Sequence, residues 1–235
     1  MLRCSWIVLA LLGFSVFLAL AAEPRRAPHP SVVPVADTPG LPRVLLVGDS
    51  ISMGYTLPTR TLLEGKANLH RIPANGGPTS RGLPNLDRWL GQSHWDVIHF
   101  NFGIHDLKIM PDGQRQVSPA DYRKNLEAIV QRLKKTGAKL IWATITPIPD
   151  HELIQQRHFG DEAEYNAIAR EVIQAAGGVE IDDLNAFITP RFTELQVPND
   201  LHYQEEGYQV LAQQVARSIE AVLPAKTSAT QPEAR

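Results

Sequence analysis

Cysteine is almost missing from this chain: its 235 residues hold one, Cys4. It lies in the leading apolar segment, so the rest of the chain has no disulfide to draw on, although an oxidising compartment would permit one. Long apolar runs are equally scarce. Beyond residue 22 no stretch approaches the roughly 20 residues that a bilayer span needs. Basic blocks are absent, with or without interleaved aromatics, which argues against nucleic acid as a partner. No internal period of the solenoid or propeller kind is present. His151-Glu152 followed by His158 lacks the histidine spacing of a His-Glu-X-X-His zinc helix. His70, His94 and His99 have no partners at ligand spacing, so neither a metal nor another cofactor is expected.

What is present begins with residues 1–22. Arg3 forms a basic start, Trp6 to Leu20 an apolar stretch, and Ala21-Ala22 a small-residue cleavage site, the pattern of a secretory signal peptide. The chain is therefore expected outside the cytoplasm, periplasmic or extracellular, with no membrane span once this segment is removed. An uncleaved anchor is the alternative. Setting the segment aside removes only Arg3 from the 23 basic and 25 acidic residues, so the remainder stays weakly acidic. Residues 23–41 hold five prolines and read as an extended linker. The folded domain is expected over residues 42–223, with a disordered polar tail over 224–235.

Between these limits apolar runs alternate with helical patterns. Residues 44–47, 68–72, 96–102, 139–145 and 179–181 read as strands. Helices are expected over 52–64 despite Pro58, around Leu83, Leu86 and Leu90, and over 161–176 before Gly177-Gly178. Ser118-Pro119-Ala120-Asp121 opens another helix with an N-cap serine, a proline at the first position and an acid in the first turn. Tyr122, Leu126, Ile129, Val130 and Leu133 then form one apolar face that Gly137 ends. Tyr208, Leu211, Ala212, Val215, Ile219 and Val222 give the last helix its buried side. Alternation of this kind predicts an α/β protein with a parallel sheet of about five strands covered on both faces. Right-handed crossovers place the carboxyl ends of its strands along one rim.

Polar residues collect where that rim should lie. Gly48-Asp49-Ser50 follows the first strand, Asn75-Gly76-Gly77-Pro78-Thr79-Ser80 the second, and Gly103-Ile104-His105-Asp106 the third. Asn199-Asp200-Leu201-His202 precedes the last helix. In this order the four segments resemble the signature blocks of the SGNH (GDSL-like) hydrolases, over about residues 44–223. The resemblance implies a flavodoxin-like three-layer α/β/α sandwich. It also implies hydrolysis of carboxylic esters, often acetyl groups on carbohydrates, by a serine that needs no metal.

Each residue can be weighed by its chemistry. A serine hydroxyl is a poor nucleophile until a base takes its proton, which makes Ser50 the candidate nucleophile and His202 the candidate base. Asp200 is the candidate carboxylate that fixes the imidazole tautomer. It stands two residues before His202, whereas the family aspartate stands three before, where this chain has Asn199. In extended chain, residues i and i+2 face the same way, so Asp200 can reach. Support from Asn199, or a Ser-His dyad with Asp200 in a structural turn, are the alternatives. The oxyanion hole is expected from the Ser50 amide, Gly77 (or Gly76 one residue earlier) and His105. The last replaces the asparagine of the family's Gly-X-Asn-Asp, with Asp106 or a backbone carbonyl holding its ring. Asp49 is read as a structural acceptor in the strand-to-helix turn, and Asn101 points either to the rim or to the core. Residues 147–160 are long enough to touch substrate or simply to cover surface. The expected activity is a secreted serine esterase acting on a small-molecule or glycan ester. The alternatives are an acyltransferase, a lipase or thioesterase, or a non-catalytic glycan-binding domain.

Overall fold

The computed structural model describes residues 27–224, apart from 152, 154 and 155. The expected signal peptide, and all but the first residue of the expected tail, lie outside the described residues. In chain order the elements are β1 (Arg43–Val47), α1 (Ser50–Leu62), β2 (Asn68–Arg71), α2 (Thr79–Leu90), β3 (Val97–Phe100), α3 (Pro119–Lys134) and β4 (Lys139–Ala143). There follow α4 (Asp161–Ala176), β5 (Val179–Asp182), the short α5 (Leu184–Ile188) and α6 (Phe192–Leu195), and α7 (Glu205–Val222). The sheet has five strands in the order β2-β1-β3-β4-β5. Every pairing in it is parallel. This is the three-layer α/β/α arrangement with flavodoxin-like strand order.

The strand order decides where ligands can bind. The chain moves outward from β1 to β2, then crosses back past β1 to β3 and continues in the opposite direction. Right-handed crossovers therefore put the first helix on one face and the next ones on the other. Accordingly α1 packs with α7, while α2, α3 and α4 pack in a row. The crevice opens where the direction reverses, at the carboxyl ends of β1 and β3. Val44 to Val47 and Val97 to Phe100 are buried throughout, which explains why those strands read as apolar runs, with His99 the one polar residue in them. Ser118 caps α3 as expected, its Oγ accepting the Asp121 N–H at 3.1 Å.

Three features depart from the sequence expectation. Helix α1 starts at Ser50, two residues early, because the Asp49 carboxylate caps it. Pro58 sits within α1 without ending it, and Thr56 and Thr59 turn their hydroxyls onto the carbonyls four residues back. Residues 29–41, expected as an extended linker, open with a 3-10 turn over Pro30–Val32 and are docked: the Asn68 side chain accepts the Thr38 N–H at 2.8 Å and donates to the carbonyls of Thr38 and Leu41. Asp37 pairs with Arg43 and with His70. This segment is thus held by the Asn68 and His70 side chains of β2, an edge strand. Deeper in the core, His99 on β3 bonds Asp182 on β5 at 3.0 Å, and Gln214 of α7 donates to the same carboxylate. His99 is thus a core residue that ties sheet to helix.

Candidate active site

The turn after β1 is held in place before any substrate arrives. Asp49, 2 % exposed, accepts the N–H groups of Ile51 and Ser52. Both are orphan donors of the first helical turn. Arg71, at the end of β2, donates to the carbonyls of Gly48 (2.9 Å) and Asp49 (2.6 Å) and to Ser52 Oγ (2.6 Å). Its other terminal nitrogen reaches the carbonyl of Ala74 at 3.0 Å. Burial pulls this guanidinium down to about 10, opposed by the charge of Asp49, so it remains a cation at neutral pH. Nothing in the sequence singled Arg71 out, since its role exists only where two strand ends meet.

Ser50 begins α1, where its N–H has no intrahelical acceptor. His202 lies 152 residues further along the chain, and its Nε2 is 2.8 Å from Ser50 Oγ. Behind the ring, Asp200 Oδ1 is 2.6 Å from His202 Nδ1 and accepts the His202 backbone N–H at 3.0 Å. Partial burial pushes the Asp200 carboxyl up, but those two hydrogen bonds and the His202 charge prevail and hold it below the usual carboxylate range. An aspartate two residues before the histidine therefore reaches the ring, by a local turn in which one oxygen serves both backbone and side chain. Asn199 is the one described non-glycine residue with positive φ (59°), and its N–H donates to His151 Nε2 at 3.1 Å.

These residues border a cavity of about 360 Å³. Ile51, Ile104, Leu153 and Leu201 form its apolar wall; Asn75, His105 and Arg157 are polar, beside Ser50 and His202. Leu153 and Arg157 come from the loop over residues 147–160, which therefore does reach the site. Arg157 Nε donates to the Ile104 carbonyl at 2.7 Å, and burial pulls the guanidinium down to about 10.

The expected oxyanion residues fare differently. His105 lines the cavity. Burial, and then the charges of Arg157, His202 and Lys108, lower its pKa against the pull of Asp49, which favours the neutral ring with one N–H donor. Asp106 does not hold that ring. Both its oxygens accept from Thr79, through the backbone N–H at 3.0 and 3.1 Å and through the hydroxyl. The carboxyl clamps the start of α2 instead. The Gly77 N–H donates to Asn75 Oδ1 at 2.9 Å, and it is Asn75 that borders the cavity. The Gly76 N–H is taken by the Gly48 carbonyl at 2.9 Å. Asn101 points inward, donating to the carbonyls of Ala143 and Thr144.

A family model for GDSL-like lipases and acylhydrolases matches residues 46–210. The chain belongs to that family. The match takes in the Gly48-Asp49-Ser50 turn, the Asn75–Ser80 segment, the third-strand block and the Asp200–His202 loop. No curated protein sequence matches the chain. Among solved structures, a lipase/acylhydrolase from Enterococcus faecalis is 21% identical, with a TM-score of 0.68 over 80% of this chain and 100% of its own. An acetyl xylan esterase, AlAXEase, is 18% identical, with a TM-score of 0.65 over 75% of this chain and 99% of its own. Axe2, an acetylxylan esterase from Geobacillus stearothermophilus, is 16% identical, with a TM-score of 0.63 over 76% and 94%. At these identities the likeness is one of fold, and the family's blocks sit on that fold at one rim.

Proposed function

We propose that this family member is an exported serine esterase that hydrolyses carboxylic esters, acetyl esters of carbohydrates foremost. The observation that carries the reading is the single imidazole between Ser50 Oγ (2.8 Å) and Asp200 Oδ1 (2.6 Å). With Asp200 holding the Nδ1 proton, Nε2 is left as the acceptor. Ser50 Oγ attacks the ester carbonyl while its proton passes to His202 Nε2. The tetrahedral oxyanion is held by the Ser50 N–H and by the neutral His105 ring. Collapse breaks the acyl–oxygen bond, His202 returns the proton to the leaving alcohol, and water then releases the acyl group by the reverse sequence. Support for a small acyl group comes from the cavity, whose apolar wall is confined to four side chains. Two of the neighbouring folds are acetyl xylan esterases, which favours an acetylated glycan as the alcohol side. Export rests on the leading segment alone.

The decisive experiment is labelling by a fluorophosphonate followed by intact mass. The wild-type protein is expected to gain one adduct and Ser50→Ala none. A folded wild-type protein without an adduct would refute the assignment and favour a glycan-binding domain.

A further inference from the structure

We infer that Asn75 is an oxyanion-hole residue, its side-chain Nδ2 donating to the substrate oxygen in place of the Gly77 N–H that its Oδ1 already occupies. The inference rests on the esterase reading of Ser50. Three observations, with the chemistry of a side-chain amide, carry it. Asn75 borders the cavity that Ser50 and His202 border, whereas Gly77 does not. The amide is oriented, because its Oδ1 accepts the Gly77 N–H at 2.9 Å. A side-chain amide has one oxygen and a two-donor nitrogen; with the oxygen turned to the backbone, the nitrogen is the end left over. Among the described residues no protein acceptor takes Nδ2, although Asn75 is half-buried.

The backbone on both sides of Asn75 is fixed to the nucleophile turn. Arg71 binds the Ala74 carbonyl with one nitrogen and the Gly48 and Asp49 carbonyls with the other. The Gly76 N–H closes onto the Gly48 carbonyl at 2.9 Å. A Cβ on Gly76 would meet that carbonyl oxygen at 2.9 Å, so the two segments are in direct backbone contact. Gly77 itself stands at φ +67°, a backbone conformation open to glycine at no steric cost, and carries the chain on from this turn into α2. The donor is thus mounted on the same brace as the nucleophile, which an oxyanion hole requires if it is to need no reorganisation during reaction. Chemically the arrangement supplies a neutral amide to a site where the chain has His105 in place of the family asparagine. As Ser50 Oγ bonds to the carbonyl carbon, the π pair moves onto oxygen, and Nδ2–H and the Ser50 N–H donate to it.

Two variants separate this role from a stopper over the Gly77 amide. Asn75→Asp keeps an acceptor for the Gly77 N–H and removes the donor; Asn75→Ala removes both and uncovers the Gly77 N–H. With p-nitrophenyl acetate as probe, kcat of Asn75→Asp is expected to fall ~10²–10³-fold. KM should stay within about threefold, the split of an interaction made only in the transition state. Asn75→Ala should fall by at least about tenfold. Affinity for a phenylboronic acid, which forms a tetrahedral serine adduct, should fall with kcat/KM, at an unchanged unfolding midpoint. An Asn75→Ala rate equal to or above wild type overturns the inference and returns the donor to Gly77. So does an unaltered Asn75→Asp. Absence of fluorophosphonate labelling in the wild-type protein fails the esterase reading as well, whereas labelling with an unaltered Asn75→Asp fails this inference alone.

Discussion

Asp200 binds the His202 backbone and the His202 ring with the same oxygen. That economy lets an i,i+2 spacing do what a longer spacing does by reaching across a turn. It also makes the two candidate supports separable. Asp200→Asn should lose ~10³–10⁴-fold in kcat, because an amide can favour the wrong imidazole tautomer and cannot stabilise the imidazolium. Asn199→Ala should stay within about threefold, because it is Asp200 and not Asn199 that hydrogen-bonds the ring; steady-state kinetics on one ester tests both. Asp106 carries a different signal. Burial pushes its carboxyl up to about 7, against the two Thr79 hydrogen bonds that favour ionisation and with Asp49 adding to the rise. Between its unfolded value of about 3.9 and that level, the native protein binds more protons than the unfolded chain. Its contribution to stability therefore declines as pH rises through this window. Asp106→Asn removes the titration, so the advantage of wild type over the variant in urea unfolding should shrink from about pH 4.5 to about pH 7. An advantage that grows over that range would contradict the shift.

At the level of elements, the reactive pair is set by how α1 lies on α7. Ser50 opens α1 and His202 stands three residues before α7, so the distance between their side chains follows the packing of the two helices. Gly54 of α1 faces Tyr208 of α7 directly: a Cβ there would lie 2.1 Å from the Tyr208 ring. That ring is itself backed by Tyr203, next to His202, with centroids 6.0 Å apart. Gly54→Ala must push the helices apart or turn the tyrosine. An alanine is otherwise the better helix former, by about 1 kcal/mol, so a local helix effect would stabilise. The expected result is the opposite: a lower unfolding midpoint, and kcat reduced by up to ~10²-fold through misplacement of Ser50 relative to His202. Wild-type kinetics and an unchanged midpoint would show that the contact does not set the pair. Gly54→Ala with Tyr208→Phe tests whether the hydroxyl matters to the clash, since the nearest atoms belong to the ring and that double variant should remain impaired.

Across the whole molecule, the sheet has one edge that a composition-based reading leaves open. Residues 29–41 look like a linker because they are rich in proline and small residues, yet they dock on β2, an edge strand, through the side chains of Asn68 and His70. Arg60 adds a bond from α1 to the Ser31 carbonyl at 3.1 Å. Uncovered edge strands invite pairing with other chains. A chain beginning at Pro42 should therefore unfold at a lower temperature than one beginning at Ala27 and self-associate more on light scattering. If both behave alike, the segment is a passive passenger.

Much of this architecture was legible because its signals are local. Val44 to Val47 and Val97 to Phe100 are buried along their whole length, and buried parallel strands declare themselves as apolar runs, broken in the second only by His99. Ser118 and Pro119 marked the start of α3 by capping chemistry alone. The short α5 and α6 were not legible, since four or five residues carry too little periodicity to separate a helix from a turn. At the site, the sequence by itself supplied the candidate nucleophile, base and carboxylate through the resemblance of its four blocks, with Ser50 after β1 and Asp200 and His202 ahead of α7. Only the tertiary structure decided that Asp200 reaches the ring, that Asp106 clamps α2 instead of His105, that Arg71 braces two turns, and that Asn75 covers Gly77. Each of those outcomes depends on where a side chain's second hydrogen-bonding end points after its first is satisfied. That direction is fixed by backbone turns and by neighbours distant in sequence, which no local pattern encodes.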